Sequence, residues 1–358
     1  MKIVDILTTK TAFKLRKMFK VTYEESTHTH GVYVKILTDN GLYGLGEAVP
    51  NAFVTGETIG SILAAVELMK PSLIGADPED MANIHKIMDS LMLGNTAIKA
   101  AIDMACYDVC GKAKNMPVHK MIGANIDTFI TDVTIGIDTV ENMVDDAVFR
   151  AKQGFRVLKV KGGLSAEHDF AAIKAIRDAV GDSIEIRVDF NQGYDYETAV
   201  YVLSKMPELG VTEAEQPLPA DDVENMAKLK KVSPIPVMAD ESVHSPKDAL
   251  RLCEMDACDI LNIKLMKCGG IYPALQINAI AEKYGKRCIV GCMTESKLGI
   301  AAGAAVVAAA GGKMGVVDLD AFLLLADGEA GVTGGFKVNQ DEITLSEQSG
   351  FGFDAYEV

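Results

Sequence analysis

Phe155-Arg156-Val157-Leu158-Lys159-Val160-Lys161 is the stretch on which the fold turns. Side chains two apart share one face of a strand, so Lys159 and Lys161 point one way and Leu158 and Val160 the other. Runs of the same kind recur at 129–137 (FITDVTIGI), 184–190 (IEIRVDF), 211–217 (VTEAEQP), 234–240 (PIPVMAD), 258–264 (CDILNIK), 287–293 (RCIVGCM) and 315–320 (GVVDLD). Amphipathic helical segments separate them. Eight strands alternating with helices predict a parallel (β/α) barrel. The rival is a doubly wound open sheet, but no GxGxxG or P-loop opens a helix to support it.

The charges fall where such a barrel would use them. Lys161, Asp189, Glu215, Asp240, Lys264 and Asp318 each close a predicted strand or lie beside its close, and the first five are 24 to 28 residues apart. That is about one βα unit per step, and strand ends on that face build the active site. Asp189, Glu215 and Asp240 come from consecutive strands. Three hard carboxylate oxygens suit Mg²⁺ or Mn²⁺, and without a cation they would repel. Lys159 and Lys161 share a strand face, and crowded cations are expected to depress each other's pKa, freeing a lysine as a base. Lys264 reaches the centre from the opposite side. Two bases facing each other across one carbon, beside a metal, suit a two-sided proton transfer. A Schiff-base lysine is a second reading, but it needs no aligned carboxylates. A non-catalytic protein on the same fold would be expected to have lost some of these groups.

The first third has another pattern. Strands are predicted at Ile3–Leu7, Val32–Leu37 and Leu42–Glu47, the last two joined by the turn Asp39-Asn40-Gly41. Helices are predicted at Glu57–Met69, Pro78–Met92 and Asn95–Lys114, with Asn95 as N-cap and Ile98, Ala101, Ile102 and Cys106 as an apolar stripe. The chain of 358 residues is 49% hydrophobic with net charge −15, which argues against nucleic acid and anionic membranes as partners. Seven scattered cysteines without a CxxC pair, and a start lacking a secretory apolar core, predict a reduced, cytoplasmic protein. Cys106 and Cys110 are expected in the core. The uncharged run Leu298–Gly312 is too short to span a bilayer and is expected as a buried helix. His244 is expected on the surface, and the other histidines show no ligand spacing.

At LKVKGG, VDFNQ, EQP, MADES, NIKLMKCGG and GCMTES the chain resembles the enolase superfamily, within its muconate-lactonizing subgroup. The resemblance covers nearly the whole chain, including VTGET at 54–58. It implies an α/β fold: a modified (β/α)₇β TIM-type barrel (126–320) under an α+β capping domain (1–125), with the tail from 321 packing on the cap. It implies one Mg²⁺ per subunit held by Asp189, Glu215 and Asp240, an acid/base pair of Lys161 and Lys264, and Lys159 in support. Asp318-Leu319-Asp320 resembles the DxD motif of dipeptide epimerases, where two aspartates bind the substrate's ammonium group. Cys292, Met293 and Thr294 are expected to face the substrate. The activity implied is inversion of the α-carbon of a dipeptide's C-terminal residue through a metal-stabilised enediolate. The alternatives in the subgroup are a cycloisomerase, an N-acylamino acid racemase and an o-succinylbenzoate synthase. The expected partner is a small dipeptide, acted on by a homo-oligomer. Two positions depart from relatives: Phe190 stands where many have Ala, and Glu24, in the expected loop carrying Lys14, Arg16, Lys17 and Lys20, stands where Ala-Glu epimerases have an arginine. Glu24 therefore suggests a substrate with a cationic side chain, ahead of hydrophobic and acidic ones.

Overall fold

The computed structural model describes residues 1–21, 24–326 and 331–356. The chain opens with an antiparallel sheet of β1 (Ile3–Val21), β2 (Glu24–Thr38) and β3 (Tyr43–Ala48), in that order. The predicted turn joins β2 to β3, with Gly41 at φ 81°. β1 runs far past Leu7, so the expected loop at 14–20 is instead the outer half of a two-stranded ribbon with β2, shifted in register between Lys14 and Phe19. No Gly or Pro interrupts residues 8–20, and an antiparallel partner satisfies the backbone.

Helices α1 (Ile59–Leu73), α2 (Met81–Leu91) and α3 (Thr96–Ala113) complete the cap. Gly44 and Gly46 of β3 let α3 lie directly on the sheet: a Cβ on either would come within 1.9 Å of the carbonyl oxygen of Ala105 or Ala101. The predicted apolar stripe of α3 widens into burial on every side from Ala97 to Gly111, Cys106 and Cys110 included. Asn95 stands at the N-cap position, but its side chain makes no capping bond and its φ is 51°. Glu57 replaces it, accepting from the backbone amides of Ala97 (2.9 Å) and Ile98 (3.4 Å). A distant carboxylate thus satisfies the free amides of the helix start.

The run at 129–137 splits in two. β4 (Thr128–Ile130) pairs antiparallel with Glu342–Leu345, while β5 (Val133–Ile135) begins the parallel sheet. The sheet continues through β6 (Val157–Lys161), β7 (Glu185–Asp189), β8 (Val211–Glu215), β9 (Val237–Ala239), β10 (Ile260–Lys264) and β11 (Arg287–Gly291). The eighth predicted strand is a shorter closing stave. Val317 bridges Thr131 and Asp318 bridges Gly291, before the chain turns at Ala321–Leu324. The architecture is a (β/α)₇β barrel with a capping domain. Helices follow the strands, and polar caps start most of them: Ser165 accepts from His168 N–H and Asp195 from Thr198 N–H. The uncharged run forms the helix Lys297–Ala309, buried from Leu298 to Ala308. Phe190 is fully buried against Tyr194, at 5.2 Å between ring centroids. Gly163, at φ 86°, lets the chain after β6 pass over the Phe190 carbonyl. The tail contacts the cap where Phe351 N–H donates to Asp108 and Val118 N–H to the Gly350 carbonyl. Among the described residues no helix is long and apolar enough to cross a membrane.

Candidate active site

The parallel register brings the predicted strand ends to one level. Lys161 pairs with Asp189 and Asp189 with Glu215 across neighbouring strands. Lys159, Lys161, Asp189, Glu215, Asp240, Lys264 and Asp318 are all buried and converge on the same end of the barrel. The Lys159 ammonium donates to Asp318 (2.7 Å) and lies 2.9 Å from Glu215 and 3.1 Å from Asp189. Lys161 donates to Asp189 at 2.6 Å and Lys264 to Asp240 at 2.7 Å.

These contacts reverse one expectation from the sequence. Burial alone would lower Lys159, but the carboxylates of Asp318, Glu215 and Asp189 outweigh it and hold the ammonium well above its ordinary range. Lys264 is also raised, burial being outweighed by Asp240. Lys159 and Lys264 each sit among acids, and those attractions outweigh burial and the repulsion that Lys159 exerts on Lys264. The acids differ among themselves. Glu215 is pushed up to about 8 by burial and the charge of Asp189. Asp189, despite burial, is pulled down to about 2 by Lys161 and Lys159. Asp240, against its burial, is held well below the ordinary carboxylate range by Lys264 and Lys267.

Carboxylate oxygens of Asp189, Glu215 and Asp240 lie within 4.8 Å of one another, all buried. The donor set is oxygen alone, which fits a hard divalent cation such as Mg²⁺. Above this floor is a cavity of about 200 Å³. Lys159, Lys161, Lys264, Asp318 and Asp320 form its charged base. Cys292, Met293 and Thr294 form one side, and the ribbon residues Leu15, Phe19, Ser26, His28 and His30 roof it. Asp320 accepts from Thr134 N–H at 2.6 Å, yet burial and the neighbouring Asp318 raise it overall. A cation beside the two aspartates would therefore be stabilised. Cys292 donates its thiol to the Asp318 carbonyl, and Thr29 of β2 donates to the Thr294 carbonyl, tying the cap to this wall. The side chain of Glu24 lies outside the described residues, as do Thr22 and Tyr23.

Sequence reasoning passed over several contributors. His28 and His30 alternate on β2 and so share a face, and the cavity lies on that face. Asn262 stands two residues before Lys264 on β10, a spacing that placed them on the same face, whereas Asn191 lies past the end of β7 at φ 43°, where strand alternation says nothing. Lys267 is wholly buried against Asp240 and had no visible signal beyond its place in NIKLMKCGG. His244 departs from its expected surface position: it is half-buried, and burial with the nearby Lys267 lowers it to about 4.

Residues 142–357 match the family model "Enolase C-terminal domain-like", and residues 3–123 match the N-terminal domain of mandelate racemase / muconate lactonizing enzyme. The chain is 38% identical to an L-Ala-D/L-Glu epimerase of Clostridium acetobutylicum, over 98% of both proteins. It is also 38% identical to a hydrophobic dipeptide epimerase of Enterococcus faecalis, over 98% of this chain and 99% of the relative. The crystal structure of a dipeptide epimerase from Enterococcus faecalis, complexed with Mg and L-Leu-L-Tyr, superposes with TM-score 0.95 over 99% of both chains, at 38% identity. The strand-end lysines and carboxylates, the cap that roofs them and these matches over both domains agree: the chain belongs to the mandelate racemase / muconate lactonizing enzyme family of the enolase superfamily.

Proposed function

We propose that this protein is a Mg²⁺-dependent dipeptide epimerase that inverts the α-carbon of the C-terminal residue. One observation carries the reading. Lys161 and Lys264 end the second and sixth of eight staves, diametrically opposed, and both line one cavity. The carboxylates of Asp189, Glu215 and Asp240 end the three staves between them.

A substrate carboxylate near that triad would place its α-carbon between the two lysines. One lysine, in its neutral form, takes the α-proton from one face. The C–H electron pair moves into the carboxylate, giving an enediolate. The other lysine, as ammonium, then delivers a proton to the opposite face, and the centre is inverted. A divalent cation held by Asp189, Glu215 and Asp240 would supply Lewis-acid stabilisation of the charge that builds on the carboxylate. The Lys159 ammonium adds fixed positive charge at the same place, in a buried site where it needs no reorganisation. Asp318 and Asp320 hold the substrate's free ammonium group, and Cys292, Met293 and Thr294 bound the chain between. The functional division that goes with this is a cap at 1–125, a barrel at 126–320, and a tail that contacts the cap at Asp108 and Val118 and the barrel at Arg156 through Asp341.

The test is incubation with L,L-dipeptides and Mg²⁺ in D₂O. Deuterium should enter the C-terminal α-position with inversion, and EDTA should stop it. An N-acetylated dipeptide should react far more slowly, because loss of a charge-assisted hydrogen bond costs roughly 1.5–3 kcal/mol. Equal turnover of acetylated and free dipeptides would instead identify an N-acylamino acid racemase. Absence of exchange in every dipeptide would overturn the proposal.

A further inference from the structure

Each carboxylate of the triad has one oxygen already engaged by a donor other than Lys159, Lys161 and Lys264. Asp189 Oδ1 accepts from the backbone N–H of Asn191 at 2.9 Å. Glu215 Oε1 accepts from Asn262 Nδ2 at 2.8 Å. Asp240 Oδ1 accepts from the Lys267 ammonium, which also donates to the carbonyls of Asp240 and Asn262 (3.2 Å). All three Lys267 protons are thereby used, and its side chain is fully buried, so it cannot serve as a base. The remaining oxygens share a different fate. Asp189 Oδ2, Glu215 Oε2 and Asp240 Oδ2 are the ones on which Lys161, Lys159 and Lys264 converge. The same partition holds at three residues on three strands, using three chemically different donors.

We propose that Asn262, Lys267 and the Asn191 amide are tethers that leave each carboxylate a single oxygen for the cation, so that the site selects a small octahedral ion over Ca²⁺. The inference rests on the metal site of the proposed function. Mg²⁺ demands near-octahedral geometry with few carboxylate ligands, whereas Ca²⁺ takes six to eight oxygens and readily accepts both oxygens of one carboxylate. A tether holds that oxygen turned toward its donor, so a second bond to the cation would require the carboxylate to turn and the tether to break. Releasing it lets Asp240 or Glu215 turn both oxygens inward, and Ca²⁺ gains more from this than Mg²⁺ does. Lys267 and Asn262 touch neither substrate nor reacting atoms; both are positioning residues.

The experiment is calorimetric titration of the purified, substrate-free, EDTA-stripped protein with Mg²⁺ and with Ca²⁺, in wild type, Lys267→Met and Asn262→Leu. Both variants are near in volume to the native residue and lack the donor. The quantity read is the ratio of the two dissociation constants. Each variant should shift that ratio toward Ca²⁺ by tenfold or more. A purely structural role would lower the melting midpoint and weaken both ions by one factor. An unchanged ratio in Asn262→Leu, which removes no charge and carries the test alone if Lys267→Met does not fold, overturns the tether. So does failure of Asn262→Leu to fold in a native-like state, since a residue essential for the fold is more than a tether. Wild-type protein that binds neither ion would instead overturn the metal site itself.

Discussion

Lys161 and Lys264 are chemically alike but sit in different company. Lys161 meets Asp189, and Lys264 meets Asp240, whose other oxygen is held by Lys267. If they serve opposite faces of one carbon, neither can substitute for the other. Lys161→Ala and Lys264→Ala should each reduce epimerisation by about 10²–10⁴-fold or more, the span for a positioned acid or base. One of them should still exchange the α-proton of a single diastereomer in D₂O. Near-wild-type inversion by Lys264→Ala would end the two-base account. Glu24 belongs to the same scale. The described residues on the cap side of the cavity include no lysine, arginine, aspartate or glutamate. An added carboxylate from Glu24 would be worth up to roughly 4 kcal/mol to a substrate cation at 4 Å and an effective dielectric of 20, before desolvation. Dipeptides ending in Lys should therefore show higher kcat/KM than those ending in Leu or Glu, and Glu24→Arg should reverse the order of Lys and Glu. An unchanged ranking would remove Glu24 from the account.

The segment after β11 joins the cap to the site. Ser296 N–H and hydroxyl donate to Glu47 of β3, and Gly299 N–H does the same, so a cap carboxylate closes the start of a barrel helix. Glu295 accepts from Met293 N–H at 2.9 Å, shaping the loop that lines the cavity. Both acids lie within 3 Å of where a Cβ on Gly299 would stand. Burial, then Glu47, pushes Glu295 up to about 8 from an ordinary 4.5. The folded state thus holds a proton that the unfolded chain releases near pH 4.5. Its contribution is fully present below that pH and is lost as pH rises toward 8. Glu295→Gln keeps the acceptor without the charge. It should match wild type below pH 4.5 and exceed it progressively up to pH 8, at about 1.4 kcal/mol per unit before Glu47 relaxes. Urea midpoints at pH 4.5, 6.5 and 8.5 measure the difference, and a gap that stays constant with pH refutes it.

Across the whole molecule, acids and lysines from the barrel floor are packed with little exposure, and a ligand that binds only the closed ring stabilises it by mass action. Mg²⁺ at 100 times its dissociation constant should add about 2.7 kcal/mol. The apparent melting midpoint should therefore rise by several degrees with Mg²⁺ and fall back with EDTA. Asp240→Asn should abolish most of that rise. A midpoint indifferent to Mg²⁺ in wild type would argue against a cation held by the folded barrel.

Strand periodicity and the spacing of one βα unit are local, so the barrel, its end groups and the face shared by Lys159 and Lys161 were legible in the sequence. The hairpin turn at Asn40-Gly41 and the buried helix at 298–308 were legible for the same reason. What escaped depends on residues far apart. The cap of α3 is Glu57, some 40 residues upstream, and Asn95 beside it is idle. The two-residue reach of a turn signal says nothing about how far a ribbon extends, and β1 runs on to Val21 because β2 is there to pair with it. The lysines were expected to lower one another. The charge state of Lys159 is decided instead by carboxylates up to 159 residues away, brought within 3.1 Å when the ring closes. Coulomb energies scale with distance in space, and only the closed barrel sets those distances.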